Sequence, residues 1–418
     1  MSVLSRPDVP VVWKDRRAIT LLLAATLTVM ANATISPALP GIEREFAGPP
    51  NVGLLTRFLV SAPSLTVLFC APIAGLIADR YGRRWMLLAG IALFAMSGAA
   101  GAVLPSLSAI MASRLLLGVA VALIMTAQTA LIGDFFTGDA RRSMMGLQTS
   151  ARNFGGLIFI TSAGWLALMS PRLPFAIYGV AILLLPVIWR HIPEPPRQSA
   201  ANANAPTGGG NPQQTAPAMW HIPLLGLAML QMITSLIFFM MPTQLPFFLA
   251  SQGADNAAMT GGLLGALTLS GGLAALLYVR INRSFGAAGA YALGYALMGS
   301  GFLLLTAGAD GIQQGVAAVA IGAGFATVMP NFVALALALA PAHRRGMVGG
   351  VLTSAVFLGQ ILSPVVSIPG IAEIGFLGVF RAAAVLLAGL ALGAAMWALI
   401  PWLKVILLEP MRGQRRSR

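Results

Sequence analysis

The chain has 418 residues, 57% of them hydrophobic and only 9% charged, with a mean hydropathy of +0.83. A soluble domain carries about 25% charged residues, so this composition excludes a water-soluble globule and belongs in a bilayer. The net charge of +14 would also suit a nucleic-acid binder, but basic residues in so apolar a chain read as membrane loops facing one side, and no nucleic-acid partner is expected.

A single cysteine, Cys70, excludes an intrachain disulfide and a cysteine-built metal cluster. His191, His221 and His343 all fall in or beside loops. No metal and no cofactor is therefore expected. Residues 1–16 are polar and basic, and are not read as a cleaved signal, because some eleven further apolar spans follow. Apolar stretches of ~20 residues cross the ~30 Å hydrocarbon layer as helices. They lie near 17–39, 54–78, 85–104, 107–132, 144–169, 173–190, 221–249, 257–279, 287–307, 311–339, 347–369 and 379–403. The expected fold is an all-α polytopic membrane protein of twelve transmembrane helices.

Residues 191–219 interrupt the pattern. His191-Ile-Pro-Glu-Pro-Pro-Arg197 and the Ala/Asn/Gly/Gln/Pro run after it cannot bury a core, and read as a flexible linker. The expected organisation is a six-helix bundle at 1–190, a linker at 191–220 and a second six-helix bundle at 221–418. Twenty of the 26 Lys and Arg fall on the side that carries the linker and both termini, and only Arg44, Arg57 and Arg172 on the other. The positive-inside rule then places the termini and linker in the cytoplasm. The expected location is the plasma membrane, which is the inner membrane in a Gram-negative bacterium.

The halves repeat. Arg141-Arg-Ser-Met-Met-Gly146 is followed by Thr149-Ser-Ala151 and Gly155, and Arg344-Arg-Gly-Met-Val-Gly349 by Thr353-Ser-Ala355 and Gly359. Leu39-Pro40 is echoed by Leu245-Pro246, and the loop from Asp79 to Gly82 by Arg280-Ile-Asn-Arg-Ser-Phe-Gly286. Parallel six-helix repeats with a site between them are one of the standard builds of secondary transporters.

The most charged short segment of the first half is Gly75-Leu-Ile-Ala-Asp-Arg-Tyr-Gly-Arg-Arg-Trp-Met-Leu87. Gly82 permits a tight turn, and Arg80, Arg83 and Arg84 hold the loop at the cytoplasmic face. The spacing Gly-x-Leu/Ile-x-Asp-Arg-x-Gly-Arg-Arg resembles the signature loop between helices 2 and 3 of the major facilitator superfamily. The resemblance extends over almost the whole chain. It implies that Gly75, Asp79, Arg80, Gly82, Arg83 and Arg84 form a gating latch, with Asp79 against the start of span 11 near Met347. Asp134, at the end of span 4, is placed to pair with Arg83. A solvated topogenic loop is the plainer reading of the same charges.

Arg114-Leu-Leu-Leu-Gly118 resembles a second motif of the family, whose Arg is associated with proton coupling in antiporters. A buried Arg costs ~2.5–3.5 kcal/mol on insertion scales, so it needs a partner, and a hydrogen-bonded structural role stands beside the coupling one. Ala31-Asn-Ala-Thr-Ile-Ser-Pro-Ala-Leu-Pro40 resembles the first helix of drug exporters, which often has an acid where Asn32 stands. None of the twelve Asp and Glu lies inside a span. Coupling to a proton or another ion is therefore left open. In span 5, Arg152 stands where exporters of the family often have Pro, and its repeat partner is Val356. Arg152 either snorkels to the interface or points into the cavity beside Arg114, where two arginines without a carboxylate favour an anionic substrate.

In the family, spans 1, 4, 7 and 10 face the central cavity. The candidate cavity residues are Asn32, Thr34, Arg114, Gln128, Arg152, Gln231, Gln244 and Asn331, each with helix packing as the alternative. The expected function is secondary transport of a small organic solute by alternating access, most simply export of a drug-like or metabolite compound. Organic-anion transport through Arg114 and Arg152 is the second reading. A polytopic membrane enzyme or a non-transporting sensor is more remote, since no carboxylate or His cluster is seen in the spans. Expected partners are the small-molecule substrate and the lipid bilayer, with the chain a monomer.

Overall fold

A computed structural model describes residues 15–48, 51–195, 220–253, 256–308, 310–341 and 344–399, with only the backbone described at Leu76, Asp79, Gly138, Asp139, Arg142, Arg345 and Gly346. The described residues form twelve long helices joined by short turns. Helix α1 (Arg16–Ala33) runs on through a 3-10 turn (Ser36–Ala38) into Leu39–Glu45. It is followed by α2 (Val52–Tyr81), α3 (Arg83–Ala100), α4 (Leu107–Phe135) and α5 (Gly138–Met169). Helix α6 (Leu173–His191) is 3-10 in its middle, and α7 spans His221–Ser251. The helix Ala257–Leu305 breaks at Gly286 (φ 68°) into α8 (257–285) and α9 (287–305). Helix α10 spans Gly311–Leu339, and Arg345–Leu399 breaks at Gly375 (φ 71°) into α11 (345–374) and α12 (376–399).

Eight segments satisfy a length-and-hydropathy criterion for crossing a bilayer, and two of them, Ala257–Leu305 and Met347–Leu399, are each long enough to cross twice. Helix α3 begins with Arg83 and Arg84, and α5 carries Arg152 and Asn153 in mid-helix besides the arginines near its start, which dilutes their apolar character. Counting these gives the twelve crossings expected. Lipid-facing positions are large and apolar, among them Phe69, Met96, Trp165, Val385 and Leu392. In a bilayer such exposure costs nothing, and association rests instead on close packing.

One apolar core runs from Ala18 to Ile192 and another from Ile237 to Leu387. Each borrows from the other half: Phe247 and Phe357 join the first, Ile160 the second. Helices α5 and α8 cross where a Cβ on Gly164 would lie 2.9 Å from the Cα of Gly261. Only a pair of residues without side chains allows that approach.

The two ends of the bundle are built differently. At the end bearing Gly82, the backbone turns at φ +101° between α2 and α3. Residues 191–195, expected to be the start of a flexible linker, dock on this turn; residues 196–219 lie outside the described residues. Ile192 is buried, and the Glu194 carboxylate accepts the backbone N–H groups of Arg83 (2.7 Å) and Arg84 (3.1 Å). A carboxylate here satisfies orphan donors of the first turn of α3 and complements its dipole. Arg84 donates to the Trp189 carbonyl at 2.6 Å, and Trp85 packs edge-on against Trp189. Glu194→Ala is expected to cost about 1 kcal/mol, the usual value of a lost N-cap. The measurement is a thermal melt of purified protein, where Glu194→Gln should lose less because it retains an acceptor.

Asp15 caps α1 by accepting from the Arg17 backbone N–H at 2.8 Å. Hydrogen bonds from the Arg17 guanidinium hold its carboxyl below the usual carboxylate range. Arg83 ion-pairs with Asp134 at the end of α4.

Candidate substrate-binding cavity

A cavity of about 360 Å³ lies between the halves. Helices α1, α4 and α5 supply Asn32, Met125, Thr149, Arg152 and Asn153 from one side. Helices α7, α8, α10 and α11 supply Phe238, Phe239, Thr268, Phe325, Met329, Val356, Phe357 and Gln360 from the other. Phe238 and Phe325 stack with ring centroids 3.7 Å apart and planes 11° from parallel. The wall is thus mostly aromatic and Met, adaptable to apolar bodies, with a few amides and one guanidinium.

The cavity is shut toward the end of the bundle bearing Asn51. Gln360 Oε1 accepts from Asn32 Nδ2 at 3.0 Å and from the Ser64 hydroxyl, joining α11 to α1 and α2. Farther out, the Ser36 hydroxyl donates to the Pro242 carbonyl. Arg57 donates to Gln244 Oε1 at 3.2 Å, and its guanidinium lies 3.8 Å from the centroid of the Phe247 ring. Gln244 Nε2 in turn donates to Ser367 Oγ at 2.8 Å. At the Gly82 end, by contrast, a Cβ added to Gly75, Gly146, Gly349 or Gly350 would meet nothing within 4 Å.

Of the eight residues expected to line the cavity, Asn32 and Arg152 do. The other six do not line it. Gln244 belongs to the closed end just described. Gln128 is fully buried and accepts from Gln148 Nε2 at 3.2 Å, inside the first half. Asn331 accepts from the Tyr278 hydroxyl at 2.9 Å and donates to the Thr327 carbonyl. Gln231 is buried in the second half.

Arg114 and Thr34 sit together in the first half. Arg114 is fully buried and donates Nη2 to the Gly98 carbonyl at 2.8 Å. Its guanidinium lies 4.6 Å from the Tyr178 ring centroid and 4.9 Å from that of Phe175, a cation–π clamp. The Tyr178 hydroxyl donates to the Met30 carbonyl at 3.0 Å, one turn before α1 loses its regular geometry at Thr34. Arg114 therefore meets the cavity only at second hand: it packs on Tyr178, whose hydroxyl bonds the end of α1 that carries Asn32. Tyr178→Phe is expected to lower stability by about 1 kcal/mol, the net value of one buried hydrogen bond. Transport should fall several-fold while the fold survives. Unchanged flux in proteoliposomes would detach this cluster from the cavity.

Sequence reasoning missed Gln360, Ser64, Asn153 and Phe325. For Gln360 a signal existed: with an offset of 204 residues it is the repeat partner of Gly156 (360 − 156), a polar side chain where the other copy has none. The same offset relates Arg152 to Val356 and Asn153 to Phe357, and all four line the cavity.

A twelve-helix bundle with paired cores and a cavity between them is the architecture of a secondary transporter. The Major Facilitator Superfamily model matches residues 21–364, and the chain belongs to that family. Among curated relatives it is 26% identical over 367 residues to multidrug resistance protein 1 of Bacillus subtilis (strain 168), covering 84% of this chain and 90% of that one. It is 27% identical over 139 residues to the quinolone resistance protein NorA of Staphylococcus aureus, covering 32% and 36%. Among solved structures, a D-xylose-proton symporter superposes with a TM-score of 0.72 at 18% identity, over 92% of this chain and 96% of that one. The human organic anion transporter MFSD10 superposes with a TM-score of 0.66 at 20% identity, over 92% and 99%. These two show the shared fold. The family's members are transporters rather than enzymes, and this chain is a multi-pass membrane transporter of a small molecule.

Proposed function

We propose that this chain exports a small, apolar-bodied organic compound by alternating access. The observation that carries the reading is the cavity between the halves, walled by Phe238, Phe325, Met125 and Met329 and clasped shut on one side through Gln360. The export direction draws on the multidrug resistance relative, which matches nearly end to end. The halves, residues 1–190 and 221–418 with 191–220 between them, rock around the cavity as units. The bias of Lys and Arg puts the Gly82 end and both termini in the cytoplasm. The cavity is then loaded from the cytoplasm and sealed from the outside. Asp79, with Arg80, Gly82, Arg83 and Arg84 around it, latches against the start of α11 when the cytoplasmic end closes. The protein works as a monomer in the plasma membrane.

The test is accumulation of a panel of fluorescent dyes in cells that overproduce the protein, with Gln360→Ala as comparison. Export requires lower steady-state dye than in vector controls, and loss of that difference on de-energising the membrane. Higher accumulation than in controls would make the protein an importer.

A further inference from the structure

We propose that the central cavity binds an amphipathic organic anion, with its acidic group on Arg152, and that this anion supplies a countercharge missing from the described residues that line the cavity. The inference rests on the cavity being the transport site, and deepens that reading by naming the substrate class.

Among the described residues that line the cavity, Arg152 is the charged one; no Asp, Glu, Lys or His is among them. Its Nε is buried without a hydrogen-bond partner. The acids of the first half whose side chains are described are engaged elsewhere. Asp15 pairs with Arg17, Glu43 with Arg57, Glu45 with Arg172 and Asp134 with Arg83, while Glu194 caps α3. A guanidinium half-withdrawn from water is stabilised by a partner, and a carboxylate matches its planar fork.

The fold does not impose this charge. Val356 occupies the repeat position of Arg152 and lines the cavity as well. Around Arg152, Asn153 adds an amide, and the stacked Phe238 and Phe325 offer a face for an aromatic or aliphatic body. A volume of about 360 Å³ sits at the small end of ligand pockets. The chemistry that fits is one acidic group on a compact apolar skeleton.

A consequence for turnover follows. Closing the cavity while empty would strand a dehydrated guanidinium, whereas closing it around a bound carboxylate pairs the two charges. The loaded carrier should therefore reorient faster than the empty one, and anion on the far side should accelerate release.

The experiment uses full-length protein and matched probes: 4-phenylbutyrate, its primary amide, and 4-phenylbutyltrimethylammonium, with the naphthyl analogue of each. Binding is read by thermal shift and titration. Wild type is expected to bind the carboxylates at least tenfold more tightly than the amides and to discriminate against the ammonium compounds. Arg152→Gln should erase that preference and Arg152→Lys should keep part of it. In proteoliposomes, external carboxylate should accelerate efflux of labelled carboxylate several-fold for wild type and not for Arg152→Gln. The wild-type ranking of carboxylate over amide stands as a test even if a variant fails to fold. Tighter binding of amide or ammonium probes by wild type would overturn the proposal while leaving the export reading intact. Equal carboxylate preference in folded Arg152→Gln would also overturn it. Absence of binding by any probe would overturn it together with the assignment of the cavity as a transport site.

Discussion

Gly118→Ala is expected to lower the melting temperature of the protein by several degrees. A Cβ at this position would lie 1.9 Å from Thr66 Oγ1 and 2.2 Å from the Pro63 carbonyl oxygen. Neither neighbour can yield cheaply. Pro63 presents backbone, and the Thr66 hydroxyl is tied to the Leu115 carbonyl at 2.7 Å. The added methyl must push α2 and α4 apart along the seam that organises the first half. Overpacking of a dense core costs about 1–3 kcal/mol and more where backbone must move. For a bundle of this size that corresponds to a fall in Tm of roughly 2–12 °C. The measurement is a thermal melt with size-exclusion profile on purified protein. Gly350→Ala is the comparison, since a Cβ there meets nothing within 4 Å and the substitution should be silent. Equal melting of the two variants would mean that the α2–α4 seam is slacker than its geometry.

Gln360→Ala is expected to produce the largest change in conformational balance. Gln360 Oε1 is the common acceptor for Asn32 and Ser64, and the three residues belong to three helices from both halves. Without it, the buried Ser64 hydroxyl and the half-buried Asn32 amide lose their partner whenever this end is shut. When the end opens, water can reach them. The loss therefore falls on one state. Stranding a buried polar group costs about 1–3 kcal/mol, so the equilibrium should move toward the state open at the Asn51 end by about 5- to 150-fold. Spin labels on α1 and α7 beyond the clasp would read this as a new long-distance population. An unchanged distance distribution would assign closure to the Ser36, Arg57 and Gln244 contacts alone. A ligand that favours the shut state should partly restore it, by its differential affinity and no more.

The spans, the Gly82 turn and the repeat were legible because bilayer thickness, charge and glycine impose them locally. The break at Gly286 with positive φ was foreshadowed by the echo of the Asp79–Gly82 loop. The cavity was less legible, for a physical reason. Inside a polytopic bundle a helix is apolar on every side, so no polar stripe marks the face that lines a cavity. Many polar side chains are also absorbed locally: Thr243 bonds the Phe239 carbonyl and Thr327 that of Ala323, each one turn back. Arg114 shows the same limit. Its burial was evident from the sequence, but not that Phe175 and Tyr178, on a helix not among the expected cavity-facing four, would be its partners. Arg152 and Asn32 reached the cavity because each departs from the residue that the family resemblance leads one to expect there.

The clamp on Arg114 also has a consequence for how the chain is made. Gly98, which accepts its hydrogen bond, precedes it in the chain, but Phe175 and Tyr178 follow, the latter by 64 residues (178 − 114). At synthesis rates of ~5–20 residues per second, α4 waits roughly 3–13 s for the aromatic half of its charge cage. During that interval the arginine must stay near water, at the interface or in the insertion machinery, because lipid offers it no partner. Helix α4 is therefore expected to settle fully into the bilayer only when α6 arrives, which ties completion of the first bundle to its last helix.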